Sequence, residues 1–313
     1  MNAFVAQTSS SLELPSWRYR RVGGVTMLRA GMTSWTRRHH SALPPTGYDV
    51  RGLPELGVQS SNVQVRARDV RAYGKVCGYA FSRHVPPTYL HVLSLPLQMA
   101  LLLDRRFPWP LPGLVHLSSS LRQIRPVHPG DELNLAVWID RLVSHPKGQA
   151  VVLACRVKQA SDVVWEGENV YLRRTEAASV GESWRPFVLP DWAGMTMVES
   201  WKVASDIGRR YAWVSGDANP IHLHAWLARM FGFRSAIAHG MWVFARALAG
   251  LGQLPPRLRA YVEFRSAVTL PTRVSLWATA WHRDRPRTGP WMVQSMDGSR
   301  IHAIGECVAL GEV

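Results

Sequence analysis

The chain has 313 residues, 47% of them hydrophobic and 10% aromatic, with 37 Lys and Arg against 22 Asp and Glu for a formal net charge of +15. That is enough apolar content for one large domain or two ordinary ones, which excludes a disordered or fibrous chain. The positive field favours polyanions such as nucleic acid, an anionic membrane surface, the phosphates of coenzyme A or an acidic carrier protein, and charge alone does not choose among them.

The first 45 residues hold six arginines, many serines and threonines, and one acid, Glu13. This is the flavour of a mitochondrial transit peptide, set against a disordered leader or a start at Met27, and residues 1–60 are read as a poorly ordered leader. Cys77, Cys155 and Cys307 are odd in number and widely spaced, without a metal-ligand pattern, so they read as reduced core thiols of a cytoplasmic protein. No apolar run nears the roughly 18 residues of a spanning helix, so no integral membrane segment is expected.

Asn62 to Arg68 alternates like an edge strand, and Asp69 stands where an N-cap would before a helix at Val70–Tyr73. Tyr89 to Leu103 is almost continuously apolar at helical spacing, a buried helix that Pro96 should kink or end. Strand patterns follow at Val115–Gln123, Leu133–Ile139, Ala150–Val157 and Val163–Leu172, separated by turn residues. A helix and then an antiparallel meander make residues 61–174 an α+β unit. Residues 175–195 lack either period and collect Gly181, Pro186, Pro190 and Gly194, so they read as a linker.

The order then repeats over residues 196–313. Trp201–Val203 reads as a strand, Ser205 as the N-cap of a helix through Val214, and Gly216–Pro220 as a loop. An apolar helix spans Met241–Leu251, and strands occupy Ala260–Ala267, Val274–Trp281, Trp291–Ser295 and Ile301–Leu310. An internal duplication with a period near 150 residues accounts for both halves.

Within the second half, Tyr211-Ala-Trp-Val-Ser-Gly-Asp-Ala-Asn-Pro-Ile-His222 is followed by Ile237-Ala-His-Gly-Met241. Gly, Asp, Asn and Pro are also what a plain turn prefers, with Asp217 and Asn219 satisfying backbone donors. Three features point instead to chemistry. Asp217 and His222 place an acid and an imidazole at the mouth of an apolar segment, the elements of general acid-base catalysis. Gly240 opens the apolar helix, whose free N–H groups and dipole suit a developing oxyanion. A glycine there lets a ligand oxygen approach the backbone closely. Together they describe proton transfer next to a carbonyl.

These two segments resemble the signature of the MaoC-like, R-specific enoyl-thioester hydratases (hydratase 2), and the first half is similar to the degenerate first lobe of the family's double hot-dog 3-hydroxyacyl-thioester dehydratases. The resemblance implies two hot-dog lobes, each an antiparallel sheet wrapped around a central helix, with one active site per chain. It implies reversible hydration of a trans-2-enoyl thioester to the (R)-3-hydroxyacyl thioester, on coenzyme A or acyl carrier protein. Asp217 and His222 would activate the water, Gly240 N–H would hold the thioester oxygen, and Asn219 would hold the loop. Ser215 and His239 would support the site. The sequence departs from the family in one respect: the helix after Gly240 carries no serine to support the acid.

On the substrate side, the bulk of Trp242 would narrow the acyl tunnel, and Arg234, one of four arginines flanking the motif, would meet carrier phosphates. No cofactor or metal is expected: Asp217 with His222 and His224 lacks a third strong ligand, and His39-His40 and His84 with His91 read as surface or pocket-lining groups. Tryptophans scattered over both halves speak against a nucleic-acid stacking platform. The alternatives are a hot-dog acyl thioesterase and a non-catalytic acyl-carrier-binding subunit. A monomer or homodimer fits either arrangement.

Overall fold

The computed structural model describes residues 14–16, 56–176, 179–189, 194–279 and 288–311. Its first half runs β1 (Gly57–Gln64), α1 (Ala67–Cys77), α2 (Tyr89–Leu102), β2 (Leu114–Gln123), β3 (Glu132–His145), β4 (Gly148–Gln159) and β5 (Asp162–Arg174). The short β6 (Glu182–Ser183) follows. The second half comprises β7 (Met195–Val203), α3 (Ile207–Ser215), α4 (Pro220–Leu223), α5 (Ala225–Met230), α6 (Gly240–Gly250), β8 (Leu258–Phe264), β9 (Thr272–Thr279), β10 (Gly289–Ser295) and β11 (Ile301–Ala309).

The strands form one sheet in the order β1-β3-β4-β5-β2-β8-β11-β10-β9-β7, with β6 paired to β3. The path is palindromic: each strand of the first half has a counterpart in the second, at an offset of roughly 140 residues. The halves meet where β2 and β8 pair antiparallel, Ser118 opposite Glu263 through Gln123 opposite Leu258. Each half wraps its sheet around one apolar helix, α2 in the first and α6 in the second, so the fold is the α+β double hot-dog.

Both central helices exist because they are buried on nearly every side. In α2 only Ala100 is not buried, and the helix runs on through Pro96, so the chain does not end its helix there. Burial against β1, β3 and β4 outweighs the one backbone bond the proline removes. In α6, Met241 to Ala245, Ala247 and Leu248 are buried, and its opening residue is Gly240, as the sequence suggested.

The entry to the first half differs from its sequence reading. β1 ends at Gln64 and α1 already begins at Ala67, with Arg66 as N-cap; Asp69 lies in the first turn, where its charge suits the helix dipole. The strand carries a bulge between Ser60 and Val63, with Asn62 at φ 60°, which breaks the side-chain alternation there. Its true start at Gly57 falls inside the stretch read as leader, and Ser16 bridges to Gln59 beside it. In the second half the cap before α3 is Asp206, not Ser205. Trp281 lies outside the described residues.

The linker is tied down where it is described. Val180 exchanges hydrogen bonds with the Gln149 side chain (2.7 and 2.9 Å), and Phe187 N donates to Glu263 at 2.7 Å while its carbonyl accepts from Arg265. It therefore straps the first half to β8 of the second. Cys77, Cys155 and Cys307 are free and buried. Among the described residues no helix is long and apolar enough to cross a membrane.

Candidate active site

The site is built on the turn between α3 and α4 and on the N-terminus of α6. Gly216 closes α3 in the left-handed conformation at φ 81°, its N–H returning to the Ala212 carbonyl, which turns the chain sharply toward Asp217. Asn219 caps α4, its Oδ1 accepting from Ile221 N at 3.4 Å, and Pro220 occupies the first helical position, where a missing N–H costs nothing. The turn chemistry and the placement of Asp217 and His222 are thus the same feature.

Asp217 is held at three points. Its N–H donates to Ser215 Oγ at 3.1 Å, its Oδ1 accepts from Asn219 N at 3.2 Å, and its backbone carbonyl accepts from His239 Nε2 at 2.9 Å. Ser215 is itself fixed through the Tyr211 carbonyl at 2.8 Å. These contacts supply the support that the helix after Gly240, lacking a hydroxyl, does not.

His222 is buried, and its Nδ1 lies 2.8 Å from the Ile237 carbonyl. A carbonyl only accepts, so Nδ1 carries the proton and Nε2 presents a lone pair. By the same reasoning His239 is protonated on Nε2, leaving its buried Nδ1 without a partner. The two rings stack with centroids 3.7 Å apart, and Tyr211 packs on His239 at 4.8 Å.

Burial pushes His222 down to about 3, the neighbouring His239 acts in the same direction, and Asp217 and the Ile237 backbone oppose them. Burial likewise lowers His239 to about 3. Both rings are neutral near pH 7. Burial raises the Asp217 carboxyl, against the pull of His222 and of the Asn219 backbone hydrogen bond. Its side chain nevertheless keeps 30% of its surface accessible, so it stands at an opening and not in sealed core.

Polar atoms of Asp217, His222 and His239 all lie within 4.8 Å of one another. Groups within that limit are close enough for a single water to bridge a carboxylate oxygen and an imidazole nitrogen. The same three groups are a possible cation set: in each ring one nitrogen is committed to a backbone carbonyl and the other is left free. His224, grouped with His222 in the sequence, is exposed, and His239 stands in its place.

Gly240 begins α6 beside this cluster, after His239 as N-cap. A side chain there would put Cβ 3.0 Å from the Phe264 ring, so glycine lets that ring pack against the start of the helix. Trp242 and Arg234 lie elsewhere. The Trp242 indole N–H donates to the Val76 carbonyl of α1 at 3.0 Å, tying the halves together, and Arg234 is exposed, its carbonyl accepting from Arg229.

Sequence reasoning missed Gly208. Its α-carbon packs on the His222 backbone so closely that a Cβ would lie 1.8 Å from the His222 carbonyl oxygen. It also missed the first-half contribution: Tyr171 feels the Asp217 charge, and His116 touches Phe264. Neither carries a local sequence signal.

Residues 193–283 match the MaoC-like domain model. Over 230 residues, 72% of this chain and 80% of the relative, the sequence is 32% identical to 3-hydroxyacyl-thioester dehydratase X of Mycobacterium tuberculosis. The crystal structure of HtdX from the same organism aligns with a TM-score of 0.69 at 26% identity, covering 82% of this chain and all of that one. A MaoC-like dehydratase from Phytophthora capsici aligns at a TM-score of 0.67 with 16% identity over 84% of this chain and 98% of its own, a likeness of fold. The chain therefore belongs to the MaoC-like dehydratase family of hydro-lyases.

Proposed function

We propose that the protein reversibly hydrates a trans-2-enoyl thioester to the (R)-3-hydroxyacyl thioester, with coenzyme A or acyl carrier protein as the carrier. The observation that carries this reading is the Asp217 carboxylate and the His222 ring, polar atoms of which lie within 4.8 Å of one another, with the Nδ1 proton of His222 committed to Ile237 and its Nε2 lone pair free, beside the N-terminus of α6. The water oxygen bonds to C3 while the C2–C3 π pair takes up one of the water's protons at C2, relayed through Asp217 and His222. Nothing else is consumed. The Gly240 N–H receives the negative charge that gathers on the thioester oxygen, which lowers the barrier because the donor is fixed in advance. The dehydratase name of the M. tuberculosis relative supports the same chemistry.

Asn219, Ser215 and His239 act as positioning residues for the loop, and the first half, residues 61–174, lines the path of the acyl chain. The test uses crotonyl-CoA and trans-2-decenoyl-CoA, following loss of conjugated absorbance together with free thiol. Loss of absorbance without thiol is the expected result, and thiol release would reassign the site to a thioesterase. Asp217→Asn and His222→Ala should each lower kcat by at least about a hundredfold, in the range typical of a general acid-base group, with the fold intact.

A further inference from the structure

The first half carries a cavity of its own, about 720 Å³ in volume, walled by the β3–β4 turn, the end of β5 and the linker. Asp217, His222 and Gly240 are not among its lining residues. Pockets for small organic molecules commonly measure about 300–1,000 Å³, so this one has the size for such a ligand.

Its walls are drawn together by the backbone. Gly148 stands at φ 137° opposite Arg174, and a Cβ there would meet the Arg173 carbonyl oxygen at 2.2 Å, so the glycine lets the end of β5 close on the turn. On the other side the linker runs parallel to β3, with Ser183 opposite Ser144 and Trp184 N donating to the Ser144 carbonyl at 2.7 Å.

This closure places Lys147 and Arg174 in one lining, both exposed. Like charges brought close cost stability, and among the described residues neither cation pairs with a carboxylate. Both act on His145, which burial and these two charges hold below its ordinary value. The Lys147 N–H donates to His145 Nδ1 at 3.0 Å; a backbone amide only donates, so Nδ1 is the acceptor and Nε2 carries the ring proton. Ser144 Oγ and Ser179 Oγ lie 2.6 Å apart, and whichever donates, the other keeps its own O–H for a further acceptor. The cavity therefore offers two cations and two neutral donors, the set that a phosphate accepts from.

A bare phosphate would leave most of the volume empty. Trp184 lines the cavity while packing on the Val143–Leu172 cluster and tilting against His145, and its accessible part offers an apolar surface to a flat ring. Glu176 is the one acid of the lining; it accepts from hydroxyls and disfavours a ligand that is anionic throughout.

We infer that this cavity binds a nucleoside phosphate, with the phosphate held by Lys147, Arg174 and the His145 Nε2–H, a ribose hydroxyl donating to Glu176 and the base lying on Trp184. Two sources share that chemistry, a free nucleotide and the adenosine bisphosphate end of coenzyme A. The inference stands apart from the hydratase reading, since its test reads binding and not turnover.

The full-length protein is titrated calorimetrically, at constant ionic strength, with adenosine 3′,5′-bisphosphate, adenosine 5′-diphosphate, ribose 5-phosphate and inorganic phosphate. At least one nucleotide should bind about tenfold or more tighter than ribose 5-phosphate or inorganic phosphate, as expected when a base gains an aromatic surface. It should also raise the unfolding midpoint. Lys147→Ser combined with Arg174→Ser, both at exposed positions, should weaken nucleotide binding about tenfold or more and leave the midpoint of the ligand-free protein unchanged. Trp184→Leu should bring the nucleotide and ribose 5-phosphate to similar affinity. The inference is overturned if neither nucleotide binds, if the double variant binds as wild type does, or if inorganic phosphate binds as tightly as the nucleotides. Tighter binding of the 3′,5′-bisphosphate identifies the carrier's own end as the source, and tighter binding of the 5′-diphosphate identifies a free nucleotide.

Discussion

Gly208→Ala tests the site through a residue that touches no substrate. In α3 the Gly208 α-carbon lies against the His222 backbone, and an added Cβ would sit 1.8 Å from the His222 carbonyl oxygen. Relief requires the two segments to part by roughly 1.5 Å, and a misplacement of about 1 Å can cost on the order of a hundredfold in rate. The overpacking itself costs about 1–3 kcal/mol. The His222 imidazole is also anchored at Nδ1 to Ile237, so moving its backbone either breaks that 2.8 Å bond or swings Nε2 away from Asp217. The assay pairs kcat/KM on an enoyl-CoA with a urea unfolding curve. Gly208→Ala should fold with a modestly lowered midpoint and lose most of its turnover. A variant with wild-type kcat/KM would refute the claim that the backbone of α4 sets the position of His222.

Other changes separate support from chemistry. His239→Phe keeps the stack on His222 and Tyr211 but removes the donor to the Asp217 carbonyl, and should lower kcat about tenfold, roughly the value of one hydrogen bond, at a stability cost of about 1–3 kcal/mol. Trp242→Phe leaves the Val76 carbonyl without its indole donor and should cost about 1–3 kcal/mol, read from denaturant unfolding, without a change in substrate preference. Acid should destabilise the fold early. His91, His222 and His239 are held near 3 and His116 near 4, below the ordinary value of 6.5, so the unfolded chain takes up protons that the folded one refuses. Their contribution is complete above pH 6.5 and is lost as pH falls toward those values, at up to about 1.4 kcal/mol per pH unit per histidine. Asp217, raised by burial, works in the opposite sense only near the carboxylate range. A urea midpoint that stays flat from pH 7 to about 5 would contradict these burials.

What could be read from the chain depended on how local its cause was. Asp217, Asn219, Pro220 and His222 lie within six positions, and the turn that joins them is written in their own side chains. The apolar runs of α2 and α6 were equally legible, because helices buried on all sides declare themselves by composition. The bulge at Asn62 was not, since it inverts the side-chain alternation at the point where the strand was being recognised. His224 stands beside His222 only in sequence, while the neighbour in space, His239, arrives through the pairing of Ile237 N with the Ile221 carbonyl. Gly208, His116 and Phe264 matter only through contacts across elements, and nothing in their local sequence marks them.

The seam between β2 and β8 has a consequence for behaviour in solution. Because both partners of that pairing belong to one polypeptide, joined through Gln149, Val180, Phe187 and Glu263, bringing the halves together is a unimolecular event. Dilution cannot pull them apart. The pairing of the two halves should persist at trace concentrations where an equivalent pair of separate chains would dissociate.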